Sequence, residues 1–243
     1  MKKRIIFLAF IALCFGVYFI NDKDDGVSLP SFHYVDEFDS LDRDFWYVGE
    51  WKSLYSAYDK AKLNNSILKL EIDEVDKGPV LLSKPIEIMN GNVLTIKRRV
   101  RMTYANNHFT GGLALIETKD EGLIPSALNN ANSNLGNGIV LIEYVNSFED
   151  DSKRPGRNVF RILPRSWEYD DNYELVEPIF NKWFEEEIVY DTTEKTITYK
   201  LNDKVYSVKS QEMLEERIRI YMHGYGFETG HIVEIDWIEI SID

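Results

Sequence analysis

Cysteine is almost absent from this 243-residue chain, because Cys14 is the only one and it lies in an apolar segment near the N-terminus. The rest of the chain therefore offers no disulfide, no thiolate metal site and no cysteine nucleophile. Histidine is scarce as well, since the chain has 4, and no two of them form a His-x-x-x-His pair. A Gly-x-Ser-x-Gly elbow is also missing. These absences leave zinc catalysis and a serine-dependent triad without support.

Positive charge is in short supply too. The chain has 28 Lys and Arg residues against 41 Asp and Glu residues, which gives a net charge of −13 at pH 7. Without residues 1–25, which hold four basic and three acidic residues, the balance is 28 − 4 = 24 against 41 − 3 = 38, or −14. Such a surface repels nucleic acid and anionic lipid, so both are poor candidates as partners. The apolar fraction of 44% still supports a sizeable core, in one large domain or two small ones.

Residues 5–20 form an apolar run with three basic residues before it and the polar residues 21–26 after it. This pattern is typical of an export signal or a membrane anchor. As a helix the run spans roughly 24 Å at ~1.5 Å per residue, which is short of a hydrocarbon core of about 30 Å. Three fates stay open: an uncleaved anchor, cleavage after Gly16, or lipidation of Cys14. In each case we expect residues 1–25 to deliver an acidic domain, residues 26–243, across the membrane to the periplasm or the cell surface.

The remainder of the chain is a succession of short runs rich in Val, Ile, Thr and Tyr, separated by turn-forming residues, as in a β-protein. Asn202 and Asp203 join two of these runs and tolerate the positive φ of a two-residue hairpin turn. Only residues 125–130 and 211–216 have a helical pattern. The fold class is therefore all-β, an antiparallel two-sheet sandwich preceded by an N-terminal hydrophobic helix. The predicted strands are residues 66–72, 93–102, 112–117, 139–145, 186–190, 196–201, 204–208, 217–222 and 232–242.

Alternation within the predicted strands indicates which faces are polar. Lys97, Arg99 and Arg101 share one parity, and three cations in a row mark a solvated face. In the last strand the apolar residues change parity near Asp236, which predicts a β-bulge or burial on both faces there.

Four segments, in this order along the chain, carry a family resemblance. Together they resemble the concanavalin A-like jelly-roll superfamily, which includes family 16 glycoside hydrolases and non-enzymatic lectin-like modules. The resemblance covers residues 34–243 and implies a jelly roll in which the second segment is the strand pair that lines the sugar cleft. The segments are residues 36–42 with Trp46 and Gly49, residues 99–102 followed by 109–115, residues 186–190 followed by the hairpin at 196–208, and residues 234–240.

One strand carries the catalytic acids of the family's enzymes, spaced Glu-x-Asp-x-Glu or Glu-x-Asp-x-x-Glu. A retaining glycosidase needs two of these carboxyl groups about 5 to 5.5 Å apart. Glu143 matches the last acid, but the other two positions fall on Ile139 and Leu141, or with a bulge on Gly138 and Val140. The resemblance therefore implies that the covalent step is lost, and that Glu143 is the catalytic candidate if the chain is an enzyme. The acids left to replace the missing partner are Glu117, Glu149, Asp150 and Glu168.

Sugar-binding sites combine aromatic rings with planar polar groups, because a pyranose presents a C–H face and hydroxyl groups. We expect a glycan site on a concave sheet around Arg99, Arg101 and Glu143, with Trp167 and Tyr169 from an adjacent loop. The cations suit an acidic polysaccharide, or else ordinary ion pairs with the surplus acids. Four other tryptophans are expected in the core, namely Trp46, Trp51, Trp183 and Trp237.

Jelly rolls of this superfamily often carry a structural calcium between the first and last strands. The resemblance assigns Glu37 and Asp236 as candidate Ca²⁺ ligands, with salt bridging as the alternative role. No other cofactor is expected.

The sequence thus favours an exported, membrane-tethered carbohydrate-binding module without hydrolytic activity, whose partner is a polysaccharide or glycan. Two alternatives stay open. The first is a polysaccharide-degrading enzyme, a glycoside hydrolase or lyase, that uses Glu143 with a non-standard partner. The second is a structural envelope module without a sugar ligand.

Overall fold

The computed structural model describes residues 29–50, 58–75, 78–103, 109–117, 138–146, 159–163, 174–176, 179–209, 217–226 and 229–243. These residues form sixteen strands in two antiparallel sheets, and none of them is helical. A search of the same residues for an apolar helix of membrane-spanning length finds none. The apolar run at residues 5–20 and both predicted helices, residues 125–130 and 211–216, lie outside the described residues.

Sheet A has eight strands and contains the first and last strands of the described chain. β1 pairs with β16, off the main path, and the other seven follow the order β14, β13, β12, β7, β16, β4, β3. Its strands are β1 (Phe32–Asp36), β3 (Ala61–Leu63), β4 (Leu68–Glu71), β7 (Val93–Met102), β12 (Phe184–Asp191), β13 (Thr196–Leu201), β14 (Lys204–Lys209) and β16 (Ile232–Ile242).

Sheet B also has eight strands, in the order β11, β10, β9, β8, β15, β5, β2, with β6 beside β15. Its strands are β2 (Trp46–Glu50), β5 (Pro79–Ser83), β6 (Ile86–Glu87), β8 (Phe109–Glu117), β9 (Gly138–Asn146), β10 (Val159–Leu163), β11 (Glu174–Val176) and β15 (Arg217–Gly226). The two-sheet antiparallel sandwich predicted from the sequence is confirmed.

The core lies between the sheets and is built from the inward residues of alternating strands. β7 contributes Leu94, Ile96, Val100 and Met102, all at most 1% exposed. Each such side chain contributes about 1.5 to 3 kcal/mol to folding when it is fully buried. The outward residues of β7 are half-buried in strict alternation, as the sequence pattern predicted. β5 escapes that kind of prediction because all five of its residues are buried, so it shows no alternation.

A buried ion pair interrupts this apolar core. Arg98, on the inward face of β7, is 1% exposed, and its Nε donates to the carboxylate of Glu186 on β12. The Tyr199 hydroxyl donates to the second Glu186 oxygen at 2.5 Å. Burial, together with the adjacent carboxylate, raises the pKa of Tyr199 well above its usual value, so this phenol stays protonated as a donor. The three side chains link β7, β12 and β13.

Hydrogen bonds hold Pro30, near the start of the described chain, close to the last residue, Asp243. The buried Asn92 side chain donates to the carbonyl oxygens of Pro30 at 3.0 Å and Asp243 at 3.2 Å. Thr192 accepts the Gly91 amide and donates to the Asn92 carbonyl, at 2.9 and 2.8 Å. Any segment that precedes residue 30 therefore leaves the sandwich at the end where β7 begins.

One expectation about the strands is wrong. The resemblance implied that the strand carrying Arg99 and the strand at 109–115 form a pair. Instead β7 pairs with β12 and β16 in sheet A, whereas β8 pairs with β9 and β15 in sheet B. The reason is that these two strands, which are consecutive in their chain order, belong to opposite layers of the sandwich, and local alternation does not reveal the layer.

Candidate functional site: a tryptophan groove on sheet A

The outer face of sheet A carries a groove with a volume of about 570 Å³. Small-molecule sites typically occupy ~300 to 1,000 Å³. The groove crosses β16, β7 and β12 and ends at the turn between β13 and β14. We call it the tryptophan groove. The side chains that give it its chemistry are Lys97, Arg99, Trp183, Glu185, Asn202 and Trp237.

Arg99 occupies the centre of the tryptophan groove because of its register. It is opposite Glu185 of β12 on one side and opposite Trp237 of β16 on the other. Residues directly opposite in antiparallel strands present their side chains on the same face. An arginine, a carboxylate and an indole therefore stand in one row across three strands.

A bulge in β16 brings Trp237 to this face. The register with β7 shifts between Ile235 and Trp237, which leaves Asp236 as the extra residue. Before the bulge Val233 and Ile235 point into the core, and after it Ile238 does so. Because the parity changes, Trp237 faces outward. The bulge predicted near Asp236 is confirmed, whereas the prediction that Trp237 is a core residue is wrong.

Trp183, just before β12, is the second aromatic residue of the tryptophan groove. It is half-buried, so its predicted core position is also wrong, while Trp46 is a core residue at 0% exposed, as predicted. The guanidinium carbons of Arg99 and Arg101 lie 5.2 and 4.7 Å from the Trp183 ring centroid. Both distances are within the range of cation–π attraction, so the two arginines orient the indole.

Carboxylates of β16 hold both arginines. Arg99 Nη1 lies 2.7 Å from Asp236 Oδ2, and Arg101 Nε lies 2.5 Å from Glu234 Oε2. Lys69 Nζ contacts the other Glu234 oxygen at 3.2 Å. Burial by itself raises the pKa of Glu234, but the hydrogen bonds from Arg101 and Lys69 outweigh it, and the net pKa is lowered. Glu234 is therefore ionised at neutral pH.

The opposite end of the tryptophan groove is more open to solvent. Lys200 Nζ contacts Glu187 Oε1 at 2.6 Å. Asn202 has a positive φ of 50°, in the two-residue turn that the sequence predicted between β13 and β14. Within the part of the chain that the structure describes, Lys97, Glu185 and Asp203 make no ion pair, and Glu185 and Asp203 are exposed.

Glu143 lies far from Arg99 and Arg101 in the topology. It is on β9 in sheet B, in register with Gly112 of β8 and Arg161 of β10. The expectation that Arg99, Arg101 and Glu143 share one sheet is therefore wrong, and the reason is again the assignment of strands to layers. Whether Glu143 binds a ligand stays a prediction.

Among the described residues, the two strands paired with β9 place no second acid opposite Glu143. Gly112 is in turn opposite His223 of β15, so the row reads His223, Gly112, Glu143, Arg161. Burial lowers the pKa of His223 to about 3, aided by the charge of Arg98, so this imidazole is neutral at physiological pH. Glu117, the nearest acid on β8, is five residues from Gly112, or roughly 17 Å along a strand.

The remaining site predictions fall into two groups. Trp167 and Tyr169, and the acids Glu149, Asp150 and Glu168, lie outside the described residues. Of the two candidate Ca²⁺ ligands, Glu37 is exposed after β1, and Asp236 is engaged with Arg99. Among the residues that the structure describes, no group of three or more His, Cys, Asp or Glu side chains is placed to hold a metal ion. The calcium site stays a prediction.

No protein-family model matches the sequence, and no curated protein matches it. Solved structures do match. Peanut lectin with a nine-residue peptide is 14% identical, with a TM-score of 0.64 over 88% of this chain and 98% of that one. The fold is the concanavalin A-like jelly roll. Lectin I from Ulex europaeus, in complex with the methyl glycoside of α-L-fucose, is 14% identical with a TM-score of 0.62, covering 87% of this chain and 98% of that one.

A third legume lectin, from Bauhinia forficata in complex with GalNAc, is 15% identical with a TM-score of 0.60 over 89% of this chain and 99% of its own. At these identities the likeness concerns the fold alone. The expected concanavalin A-like jelly-roll fold is confirmed. These comparisons do not show the likeness to family 16 glycoside hydrolases.

Proposed function

We propose that this chain is a carbohydrate-binding protein that recognises a glycan in the tryptophan groove and does not cleave it. The observation that carries the proposal is the row of Glu185, Arg99 and Trp237 on an outer sheet face, with Trp183 beside it. Partly exposed indoles suit the C–H faces of sugar rings, while carboxylate, amide and guanidinium groups suit hydroxyls. Two legume lectins of the same fold were solved with a fucoside and with GalNAc, which supports the same ligand class here.

The dimensions of the tryptophan groove favour an oligosaccharide over a single sugar. From β13 to β16 there are three interstrand spacings, or roughly 14 Å at about 4.8 Å each. The two tryptophans lie on either side of Arg99, so two sugar rings can stack along one ligand. A chain that runs across the strands contacts both indoles at once, which links affinity to ligand length.

Two arguments favour recognition over hydrolysis. A glycosidase pairs a carboxylate with a carboxylic acid kept protonated by apolar surroundings. Four acids line the tryptophan groove: Glu185 and Asp203 are exposed, Glu186 is paired with Arg98, and Glu187 is paired with Lys200 at 2.6 Å. On sheet B, the described register neighbours of Glu143 are glycine and arginine. Among the described residues, the tryptophan groove therefore offers no unpaired carboxyl group enclosed by apolar side chains, as this chemistry requires.

Export and membrane tethering belong to the same proposal, with residues 1–25 as the leader and 26–243 as the binding domain. The support is the basic and apolar pattern of the leader together with the fixed position of Pro30 at one end of the sandwich. Arg99 is six residues along β7 from Val93, or roughly 20 Å from that end. A tethered domain therefore presents the tryptophan groove away from the bilayer. Fractionation of cells that express the full chain, or a chain without residues 2–20, tests this; equal recovery of both in the cytosol contradicts it.

The binding proposal is tested with purified full-length protein on a glycan array, followed by calorimetry with the best oligosaccharide. We expect Trp237→Ala and Trp183→Ala each to weaken binding about tenfold, the size of one lost stacking contact. The matched control is Phe32→Ala, which removes a partly buried ring of sheet A outside the groove. If no glycan binds, the alternative of a structural envelope module without a sugar ligand is favoured. Release of reducing ends that Glu143→Gln or Glu185→Gln abolishes contradicts the non-hydrolytic assignment.

A further inference from the structure

Arg99 of the tryptophan groove and Arg101, which lies against Trp183, could each bind a ligand carboxylate, but each already contacts a carboxylate of the protein. Arg99 is 40% exposed at its side chain and contacts Asp236, and Arg101 is 36% exposed and contacts Glu234. Lys69 adds a second cation to Glu234, whose side chain is only 9% exposed. An anionic sugar that approaches either guanidinium therefore meets a positive charge that a β16 carboxylate already neutralises, and that carboxylate repels it.

The charges that remain near the tryptophan groove disfavour anions further. Lys97 supplies one positive charge without an ion pair among the described residues, whereas Glu185 and Asp203 supply two negative ones. The local sum of these three is 1 − 2 = −1, and the chain as a whole carries −13. Like charges across a binding site lower affinity and select against the wrong ligand. Hydroxyl groups meet no such barrier, because carboxylates accept from them and Lys97 and Asn202 donate to them.

We infer that Asp236 and Glu234 are specificity-determining residues that occupy Arg99 and Arg101 and thereby restrict the tryptophan groove to uncharged glycans. The inference rests on the proposed glycan-binding function and adds the class of glycan to it. The inference also implies that the site can bind anionic sugars when these carboxylates are removed. Once the β16 carboxylates are neutralised, two partly exposed guanidinium groups on one sheet face become available for uronic acids, which guanidinium binds through paired hydrogen bonds.

The experiment compares uronate oligosaccharides with their carboxyl-reduced neutral counterparts, so that the two members of each pair differ only at C6. Tetrasaccharides of galacturonate, glucuronate and mannuronate and their reduced forms are titrated into the full-length protein. For the unaltered chain we expect the neutral member of at least one pair to bind at least about tenfold more tightly. With Asp236→Asn we expect uronate binding to tighten roughly tenfold and neutral binding to change less than about threefold. Glu234→Gln acts in the same direction.

Two further variants keep the reading of this experiment unambiguous. Glu71→Gln makes the same change in net charge, and Glu71 pairs with Lys62 at 3.0 Å on the β3 and β4 side of the same sheet. It should leave the uronate-to-neutral ratio unchanged. Adding Arg99→Gln to Asp236→Asn should abolish the gain in uronate binding, and thermal melting shows whether each variant is folded. The gain should also fall as salt is raised from about 0.05 to 0.5 M.

Each remaining outcome has a definite meaning. Preferential binding of uronates by the unaltered chain overturns the inference and leaves the glycan-binding function standing. A uronate-to-neutral ratio that Asp236→Asn does not move, in a folded variant, overturns the inference as well. No binding of any oligosaccharide by the unaltered chain overturns the proposed function itself.

Discussion

Arg98 and Arg99 are neighbours on β7, and each contacts a carboxylate of an adjacent strand, yet they occupy opposite environments. The Arg98–Glu186 pair has side chains that are 1% and 1% exposed, whereas the Arg99–Asp236 side chains are 40% and 29% exposed. Strand alternation alone separates them, since successive residues point to opposite faces. Breaking the buried pair costs much free energy, because each charge would be left in the core without water. Breaking the exposed pair costs little, because water can hydrate both side chains. An arginine–carboxylate pair therefore stabilises the fold on the inner face of β7, whereas on the outer face we infer that it selects the ligand.

The largest expected effect tests the buried side of this comparison. Arg98→Met leaves the Glu186 carboxylate in the core without its cation, and we expect a loss of about 3 to 5 kcal/mol in the free energy of unfolding. Urea denaturation measures it. The control is the combined variant Arg98→Met, Glu186→Leu and Tyr199→Phe, which removes every polar member of the cluster and should recover most of the loss. A single variant as stable as the unaltered chain contradicts the assignment of Arg98 to the core.

The next effect concerns His223, whose pKa is lowered to about 3 by burial and by the charge of Arg98. The folded protein keeps this imidazole neutral, whereas the unfolded chain protonates it below about 6.5. The unfolded state thus binds the extra proton, and stability falls as the pH drops from about 6.5 towards 3. We expect His223 to contribute about 1.4 kcal/mol per pH unit in that window.

This slope is measured between pH 6.5 and 4.5, above the range in which most carboxylates titrate. Denaturation of the unaltered chain is compared with that of His223→Gln, which has no titrating group. The variant should show the smaller slope whatever its absolute stability. Equal slopes would mean that the imidazole is as easily protonated in the folded chain as in the unfolded one.

A smaller effect is expected at the second outward pair, Arg101–Glu234. The net pKa of Glu234 is lowered, so its carboxylate stabilises the fold above the ordinary value of 4.5, and this contribution is lost as the pH falls through the lower folded value. At pH 7 Glu234→Gln should cost about 1 kcal/mol. The difference between the unaltered chain and the variant should shrink below pH 4.5. A difference that grows on acidification would show that the carboxylate is not held ionised by its cations.

The smallest effect on stability is expected at the exposed pair itself. Asp236→Asn should change the free energy of unfolding by less than about 1 kcal/mol, because both partners remain accessible to water. Thermal denaturation in parallel with Glu71→Gln provides the comparison. A loss as large as that of Arg98→Met would erase the distinction between the two faces of β7. It would also make Asp236 a residue of the fold, with no separate part in selecting the ligand.

Much of the local structure is readable from the sequence. The alternation of residues 97–102 predicts the faces of β7, the Asn202-Asp203 pair predicts the hairpin between β13 and β14, and the change of parity near Asp236 predicts the bulge. These predictions succeed because each depends on a few neighbouring residues. β5 was missed for a related reason, since a strand that is buried on both faces has no alternation to detect.

The candidate site was less accessible to prediction. The alternation predicts Arg99 and Arg101 as outward cations, but the expected site also includes Glu143, which lies in the other sheet. The two tryptophans of the groove were assigned to the core, because an apolar residue beside a strand pattern is more often buried. The change of parity at Asp236 was the available signal for Trp237. Nothing comparable marked Trp183.

By itself, the sequence determined the class of the protein: an acidic all-β chain with little cysteine and histidine, the faces of its main strands, and the absence of the family's acids beside Glu143. Only the tertiary structure decided which strands share a layer, and therefore which residues meet. Glu185, Arg99 and Trp237 form one row although Arg99 and Glu185 lie 86 positions apart in the sequence (185 − 99 = 86). Periodicity reports which way a side chain points from its own strand. The neighbour it meets depends on pairing between distant segments, which no local pattern encodes.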